Sequence, residues 1–497
     1  MTKAKISDPN LLLRKFFEEN SLIQADLDSF NNFIEKELNK ILEENKVIEP
    51  TIIPPNVDEF KIQLDNIWVT KPEITEADGS KRDILPNEAR LRKISYAAPI
   101  YIEVSAHING VQREDFKLQI GNLPIMLKSK YCHLNGLNEE ELIKAGEDPY
   151  DPGGYFIING TEKVLVKIED LASNRLMITK EKTGISQYVG KVFSERGSFK
   201  IPHQFEKLKD GIIYLTFTRV KRIPIVLLLK GLGMLKDEEI MRNLDLGDDN
   251  EVFLNLLEFV DIKDKEEALD QIAKRIGITQ SREIRVQRVE EILDKYLLPH
   301  LGITPEERNF KAINICKFTK EFLQTTKGEL PLTDKDHYAN KRLKLSGDLL
   351  GDLFRVNMKV LIGDLLYNFQ RIVKRGKIPS IKVIIREKLL TQRIYSSMAT
   401  GNWVGNRTGV SQRISRQNYL EFISALQRVV SPLSSSQENF EARALHSTHL
   451  GRLCPSETPE GSNIGLRKNL AILASVSDEA DNEELMKSLK TFGLETI

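Results

Sequence analysis

The side chains best equipped for chemistry lie between Thr400 and Ala471. His446, His449 and Cys454 offer imidazole and thiol donors, and Ser456 with Glu457 adds a hydroxyl and a carboxylate. A His-x-x-His pair suits zinc, but Cys454 precedes a proline and no fourth donor follows at a normal interval, which disfavours a zinc centre. A nucleophile built from Cys454 or Ser456 with His449 and Glu457 lacks the strand-turn-helix elbow that exposes a serine, and Pro455 and Pro459 stiffen the loop. Asp334, Asp336 and His337 also resemble a metal cluster. With no fourth ligand nearby, they read better as helix N-capping and loop hydrogen bonding. The stretch from Gly184 to Lys191 has one residue too many between its glycines for a phosphate-binding loop. Asp245-Leu-Gly-Asp-Asp249 lacks the alternating carboxylates of a two-metal centre and reads as a turn or cap. The sequence therefore predicts no complete catalytic centre and no metal site in this chain.

What remains is a set of cations in Gly- and Pro-rich backbone. Arg407, Arg413, Arg416, Arg428, Arg443, Arg452, Arg467 and Lys468 alternate with the amides Asn402, Gln412 and Asn463 and the carboxylates Glu457 and Glu460. Guanidinium forks and amides hold phosphates and sugars, while interspersed acids order the arginines or repel a strand from the wrong path. Upstream, Arg371 to Arg416 carries eleven basic residues, Lys377 among them, against one acid, Glu387. Such a block attracts a polyanion, although an isolated run is more often a solvated helix face. Lys128, Lys130 and Lys163 flank a hairpin and read as solvated lysines.

Residues 10 to 45 have helical periodicity, ended by Pro50, Pro54 and Pro55. Strands follow over Phe60 to Val69, Ile94 to Ile108 and Phe116 to Ile120, with Asn109-Gly110 as a hairpin turn. Asp151-Pro-Gly-Gly-Tyr-Phe-Ile-Ile-Asn-Gly160 is a turn feeding a short buried strand that closes on Asn-Gly. Residues 170 to 222 read as further strands. After Pro224 helical patterns recur over Asp237 to Leu244, Val252 to Val260, Lys265 to Ile276, Arg282 to Leu298 and Lys311 to Leu323. They form a largely helical insertion between two parts of something else, and a long helix from about Leu349 to Lys374 follows it.

The length, 497 residues, predicts roughly three domains. Lys+Arg and Asp+Glu are equal at 72 each, so the zero net charge conceals local segregation. Three widely spaced cysteines with no CxxC argue against a disulfide framework or zinc ribbon and for a reducing compartment. The N-terminal stretch lacks the apolar core of a signal peptide, and the run from Ile223 to Leu229 stops at Lys230, far short of a membrane span. The expectation is a cytoplasmic protein without membrane contact.

Ala399-Thr-Gly-Asn-Trp403, Gly409-Val-Ser-Gln412, His446-x-Thr-His449-x-Gly-Arg, Cys454-Pro-Ser-Glu-Thr-Pro-Glu-Gly461 and Leu466-Arg-Lys-Asn-Leu-Ala471 resemble the fork region of the second-largest subunit of multisubunit DNA-dependent RNA polymerase, in its archaeal and eukaryotic branch. Pro86-Asn-Glu-Ala-Arg-Leu-Arg92, Pro124-Ile-Met-Leu-Lys-Ser-Lys130, the 151–160 motif and Asp334-Lys-Asp-His-Tyr-Ala-Asn-Lys-Arg342 resemble that subunit in the same order. The likeness covers the N-terminal half of the family. Some methanogenic archaea split the second-largest subunit into two polypeptides, and this chain is similar to the first of them, known as B double-prime, with a truncated chain as the alternative.

The resemblance implies an α+β multidomain fold. A mixed protrusion would span 1–165 and 350–395, a mainly helical lobe 166–349, an irregular α/β fork 396–475, and the start of an external domain 476–497. It implies a subunit that forms part of the DNA cleft and nucleotide-addition site. The largest subunit and the C-terminal half of the second-largest subunit would be its partners, and template DNA, the RNA–DNA hybrid and nucleoside triphosphates its ligands. Nucleotidyl transfer would belong to the whole complex, with Mg2+ held by the largest subunit and no cofactor bound by this chain alone. By carry-over, Ser431 to Glu441 is the second fork loop, and Gln412, Arg416, Arg428, Arg443, Glu460 and Asn463 line the hybrid and nucleotide-approach side. The resemblance also implies that Arg407, Arg413, Arg452 and Lys468 lie close to nucleic acid. Only five residues separate Trp403 from Gly409, shorter than the eukaryotic first fork loop. The rival reading is a free-standing nucleic-acid-binding protein, and dependence on partner chains separates the two.

Overall fold

The computed structural model describes residues 9–494 apart from 20, 55–56, 182–183, 198, 248, 377–379 and 478–481. Pro55, Asp248, Lys377 and the N-terminal stretch 1–8 lie outside the described residues. The chain divides into two compact units, one formed by Met1–Asp170 with Leu343–Ile497 and the other by Leu171–Arg342. Each has its own apolar core.

The first unit contains a four-stranded antiparallel sheet in the order Val47–Ile48, Phe60–Val69, Ala97–Ile108, Val111–Pro124. Asn109 and Gly110 both take positive φ, 50° and 76°, which gives the two-residue turn the right-handed twist a hairpin needs. In the second strand Phe60, Ile62 and Leu64 face the core, and then Ile67 and Val69 do. A register shift between Leu64 and Asn66 moves the buried side from even to odd positions, which is how a bulge preserves a core face across a break in the period of two. The long helix runs Ser346–Val373, three residues earlier than its periodicity predicts, because Asp348 accepts from the Leu345 amide at 2.9 Å and opens the first turn. Its apolar stripe meets the N-terminal helices and the sheet through Phe33–Phe354 and Phe60–Phe369 ring contacts. A second helix, Glu387–Thr400, lies against the strand Val111–Pro124, and Thr391 Oγ1 accepts from the Asn122 amide. The basic run therefore lies on helices as well as loops.

The second unit pairs five consecutive antiparallel strands from Leu176 to Pro224. Among the described residues six α-helices follow, ending with Arg308–Lys327. In the loop beyond, Asp334 accepts from the Asp336 amide and His337 from the Ala339 amide, so these side chains order the loop. His337 thereby caps the 3-10 helix Tyr338–Asn340, as expected of a capping side chain, while Asp348 opens the long helix that follows. Among the described residues no helix is long and apolar enough to cross a membrane.

Candidate nucleic-acid interface

Within the first unit, the helix Glu387–Thr400 ends at Gly401, whose φ of +79° turns the chain out of the helix. Trp403 anchors the loop that follows, its Nε1 donating 2.7 Å to the Leu349 carbonyl, and a bridge between Trp403 and Arg407 closes it. Arg407 reaches Asp170 at 2.8 Å. The chain then forms a short strand, Ser411–Arg413, antiparallel to Thr161–Leu165 with Gln412 opposite Val164. Asn418 caps the helix Tyr419–Gln427 by accepting from the Glu421 amide, and the helix leads directly into the strand Arg428–Val430. That strand lies antiparallel to Arg467–Asn469 and parallel to the segment beginning at Lys167. The stretch between Thr400 and Ala471 thus contributes strands to two separate sheets, Ser411–Arg413 to one and Arg428–Val430 with Arg467–Asn469 to the other.

The predicted cations divide by partner. Arg416 pairs with Glu162 and Asp151, and Lys468 is buried against both carboxylate oxygens of Glu169 at 2.9 and 3.0 Å. With Arg407, these three direct their charge into the protein. For Arg413, Arg428, Arg443, Arg452 and Arg467, no carboxylate lies within ion-pair distance among the described residues. Arg413 and Arg452 are exposed, and Arg452 Nη1 donates to the Thr448 carbonyl.

Arg428 is the most telling of these. It is half-buried and donates to Gln412 Oε1 at 3.2 Å. Burial, then the neighbouring charge of Arg467, push its pKa below the ordinary guanidinium value. Glu457 and Glu421 offset this only in part, and neither forms an ion pair with Arg428, so a bound anion would relieve the remaining cost.

Arg443 differs from expectation in how it is used. Its Nη1 donates to the carbonyls of Ser462 (2.7 Å) and Ile464 (3.0 Å), and its Nη2 to those of Ser435 (2.9 Å) and Gln437 (3.1 Å). The guanidinium ties the exposed 432–440 loop to the 3-10 turn Gly461–Asn463, at whose two ends Glu460 and Asn463 sit. Gly465 makes this possible: at φ +71°, a Cβ there would stand 2.2 Å from the Arg443 carbonyl oxygen. Thr458 braces the same turn, accepting from the Gly465 amide and donating to the Arg467 carbonyl.

Among the described residues no three His, Cys, Asp or Glu side chains converge as a metal site requires. His446 Nδ1 contacts the Thr448 hydroxyl at 2.7 Å, and His449 is buried. Hydrogen bonds from the Ser456 amide and hydroxyl hold the Cys454 thiol below its usual pKa. Sequence reasoning missed Asp151, Glu162, Glu169 and Asp170, the acids that order the arginines and Lys468. The 151–160 motif stands out for its turn glycines, which say nothing about a carboxylate aimed at residue 416.

A family model described as RNA polymerase beta subunit matches residues 21–392, and one described as RNA polymerase Rpb2, domain 3, matches residues 412–476. The chain is 45% identical over 495 residues to DNA-directed RNA polymerase subunit Rpo2N of Methanocaldococcus jannaschii, covering 97% of this chain and 98% of that one. It is 42% identical over 500 residues to Rpo2N of Methanococcus vannielii, covering 98% and 99%. Against subunit Rpo2 of Saccharolobus solfataricus the identity is 41% over 487 residues, 97% of this chain but only 43% of that longer protein. The chain belongs to the family of second-largest, or beta, subunits of DNA-directed RNA polymerase and corresponds to the N-terminal half of that subunit.

Proposed function

We propose that this chain forms one wall of the DNA cleft of an RNA polymerase and holds the RNA–DNA hybrid beside a nucleotide-addition site completed by other subunits. As a member of this family it takes part in nucleotidyl transfer as part of a complex. The unit Leu171–Arg342 corresponds on this reading to the lobe, 396–475 to the fork, the rest of the first unit up to 395 to the protrusion, and 476–497 to the start of an external domain. The observation that carries the reading is Arg428, half-buried, hydrogen-bonded to Gln412 and in no ion pair among the described residues, with Arg467 as a second cation acting on it. Arg413 and Arg452 extend the positive surface, and Asn463 and Glu460 flank the nucleotide-approach side. Catalytic Mg2+ belongs on this reading to the largest subunit. Partners are the largest subunit, the chain equivalent to the remaining part of the longer relatives, template DNA and nucleoside triphosphates, all in the cytoplasm.

The test is Arg428→Ala in enzyme reconstituted with the other subunits. Loss of one phosphate contact should weaken binding of an RNA–DNA scaffold by about tenfold and reduce the slope of log K against log salt by about 1. An unchanged affinity and slope would remove the hybrid from this surface.

A further inference from the structure

We infer that Arg416 is a positioning residue that clamps the strand and the helix presenting Gln412 and Arg428, without itself touching nucleic acid. The inference rests on the reading of Arg428 as a phosphate contact.

Arg416 sits in the corner between the strand Ser411–Arg413 and the helix Tyr419–Gln427. On one side its Nε and Nη2 meet Glu162 at 2.7 and 2.9 Å in a bidentate pair. Glu162 belongs to the strand that hydrogen-bonds with Gln412's own strand. On the other side the guanidinium lies 4.2 Å from the ring centroid of Phe422, in the first turn of the helix whose next residue after Gln427 is Arg428. The fork and the stacked plane fix both arms of the corner, and the Gln412–Arg428 hydrogen bond spans their open side.

The partners are themselves held. Asp151 accepts from Arg416 Nη2 at 2.9 Å and from the Tyr155 hydroxyl at 2.7 Å. Arg90 donates to Glu162 and to Tyr155, and is anchored in turn by Glu147. An arginine engaged by two largely buried carboxylates would have to break charge-assisted bonds to reach a phosphate, and the acids left behind would repel it. The Arg428 guanidinium, whose hydrogen-bond partner is the Gln412 amide and which forms no ion pair among the described residues, has no charge-assisted bond to break.

The experiment uses the full chain in reconstituted polymerase and reads the dissociation constant of an RNA–DNA scaffold for Arg416→Ala, Arg416→Lys, Glu162→Gln, Arg428→Ala and the Arg416→Ala/Arg428→Ala double variant. We expect Arg416→Ala to weaken binding about tenfold in the parent and less than about twofold in the Arg428→Ala background, because the two residues act in series. Arg416→Lys should behave like Ala, since an ammonium supplies the charge but neither fork nor stacking plane. Glu162→Gln, which leaves Arg416 in place and keeps the assembly readable if Arg416→Ala does not incorporate, should weaken binding. Additive losses, rescue by Lys, unchanged binding of Arg416→Ala, or tighter binding of Glu162→Gln would each overturn the proposal while leaving Arg428 in place. An Arg428→Ala variant with parental affinity would remove both Arg428's role and this one.

Discussion

At the scale of single residues, Arg443 separates what a side chain is from what it is used for. Its neighbourhood marks it in the sequence as a cation beside a nucleic-acid surface, but its four acceptors are main-chain carbonyls in irregular backbone, and no residue type announces a carbonyl turned inward. Arg443→Ala should therefore act twice, removing a positive charge and releasing the 432–440 loop from the Gly461–Asn463 turn. We expect nucleotide addition at limiting nucleotide to fall by about tenfold or more, with the chain still folded. Limited proteolysis should find new cleavage within 432–440. Arg443→Lys should keep most of the charge and still expose the loop, because three rotating donors on one nitrogen cannot span two pairs of carbonyls. Elongation at parental rate in Arg443→Ala would show that neither the charge nor the loop geometry matters. Arg416 and Lys468 teach the complementary lesson: residue type and spacing put them among the candidates, and only their acid partners reveal that their charge faces inward.

Among the elements, those with a clean period were legible. The helix Asp237–Leu244 and the helix Lys265–Ile276 fall where their apolar spacing puts them, and the Asn-Gly hairpin closes at Ile108 and Val111. The strand Lys167–Leu171 was not, because Lys-Ile-Glu-Asp reads as polar surface while Lys167, Ile168 and Glu169 are all buried. Their partners are remote in sequence: Asp26 and the Leu426 carbonyl for Lys167, Lys468 for Glu169. A buried charge tolerates loss of both partners better than loss of one. Lys468→Met should cost about 3 kcal/mol, read as a lower urea midpoint, and Lys468→Met with Glu169→Leu should recover much of it. Equal losses in single and double variants would show that the pair carries no coupling. Lys311 gives a pH-dependent case in the second unit. Fully buried, its ammonium donates to the carbonyls of Leu293 and Asp294 at the end of the helix Arg282–Tyr296, and burial lowers its pKa to about 8. The unfolded chain, with an ordinary lysine, binds more protons between pH 8 and 10.5, so this group makes stability rise with pH across that window, by on the order of 3 kcal/mol. Hydrogen exchange of that helix should slow correspondingly as pH rises, after correction for intrinsic rates, and Lys311→Met should abolish the dependence.

For the whole molecule, the change from strand to helix periodicity after Pro224 suggests a separate helical body, but the structure packs those helices with the strands from Leu176 to Pro224 around one core, while the polar loop before the long helix does mark a return. The boundaries themselves are set by contacts the sequence does not display, and the structure places them at Asp170 and Leu343. The two cores share no residue: one gathers Phe30, Phe33, Phe354 and Phe369 around the first sheet, the other Phe205, Leu229, Leu293 and Phe322 around the second. Cooperativity follows shared apolar burial, so two closed cores joined by two chain crossings should unfold as two units. Leu293 is 1% exposed, and truncating it to Ala should cost about 2–5 kcal/mol. If the units are energetically separate, Leu293→Ala will lower the denaturant midpoint of peptides from 171–342 in hydrogen-exchange mass spectrometry and leave the peptides spanning Phe354 and Phe369 unchanged. Phe354→Ala should do the reverse. A common shift of both sets in either variant would mean that the chain folds as one cooperative body, and the insertion would then be an insertion in sequence only.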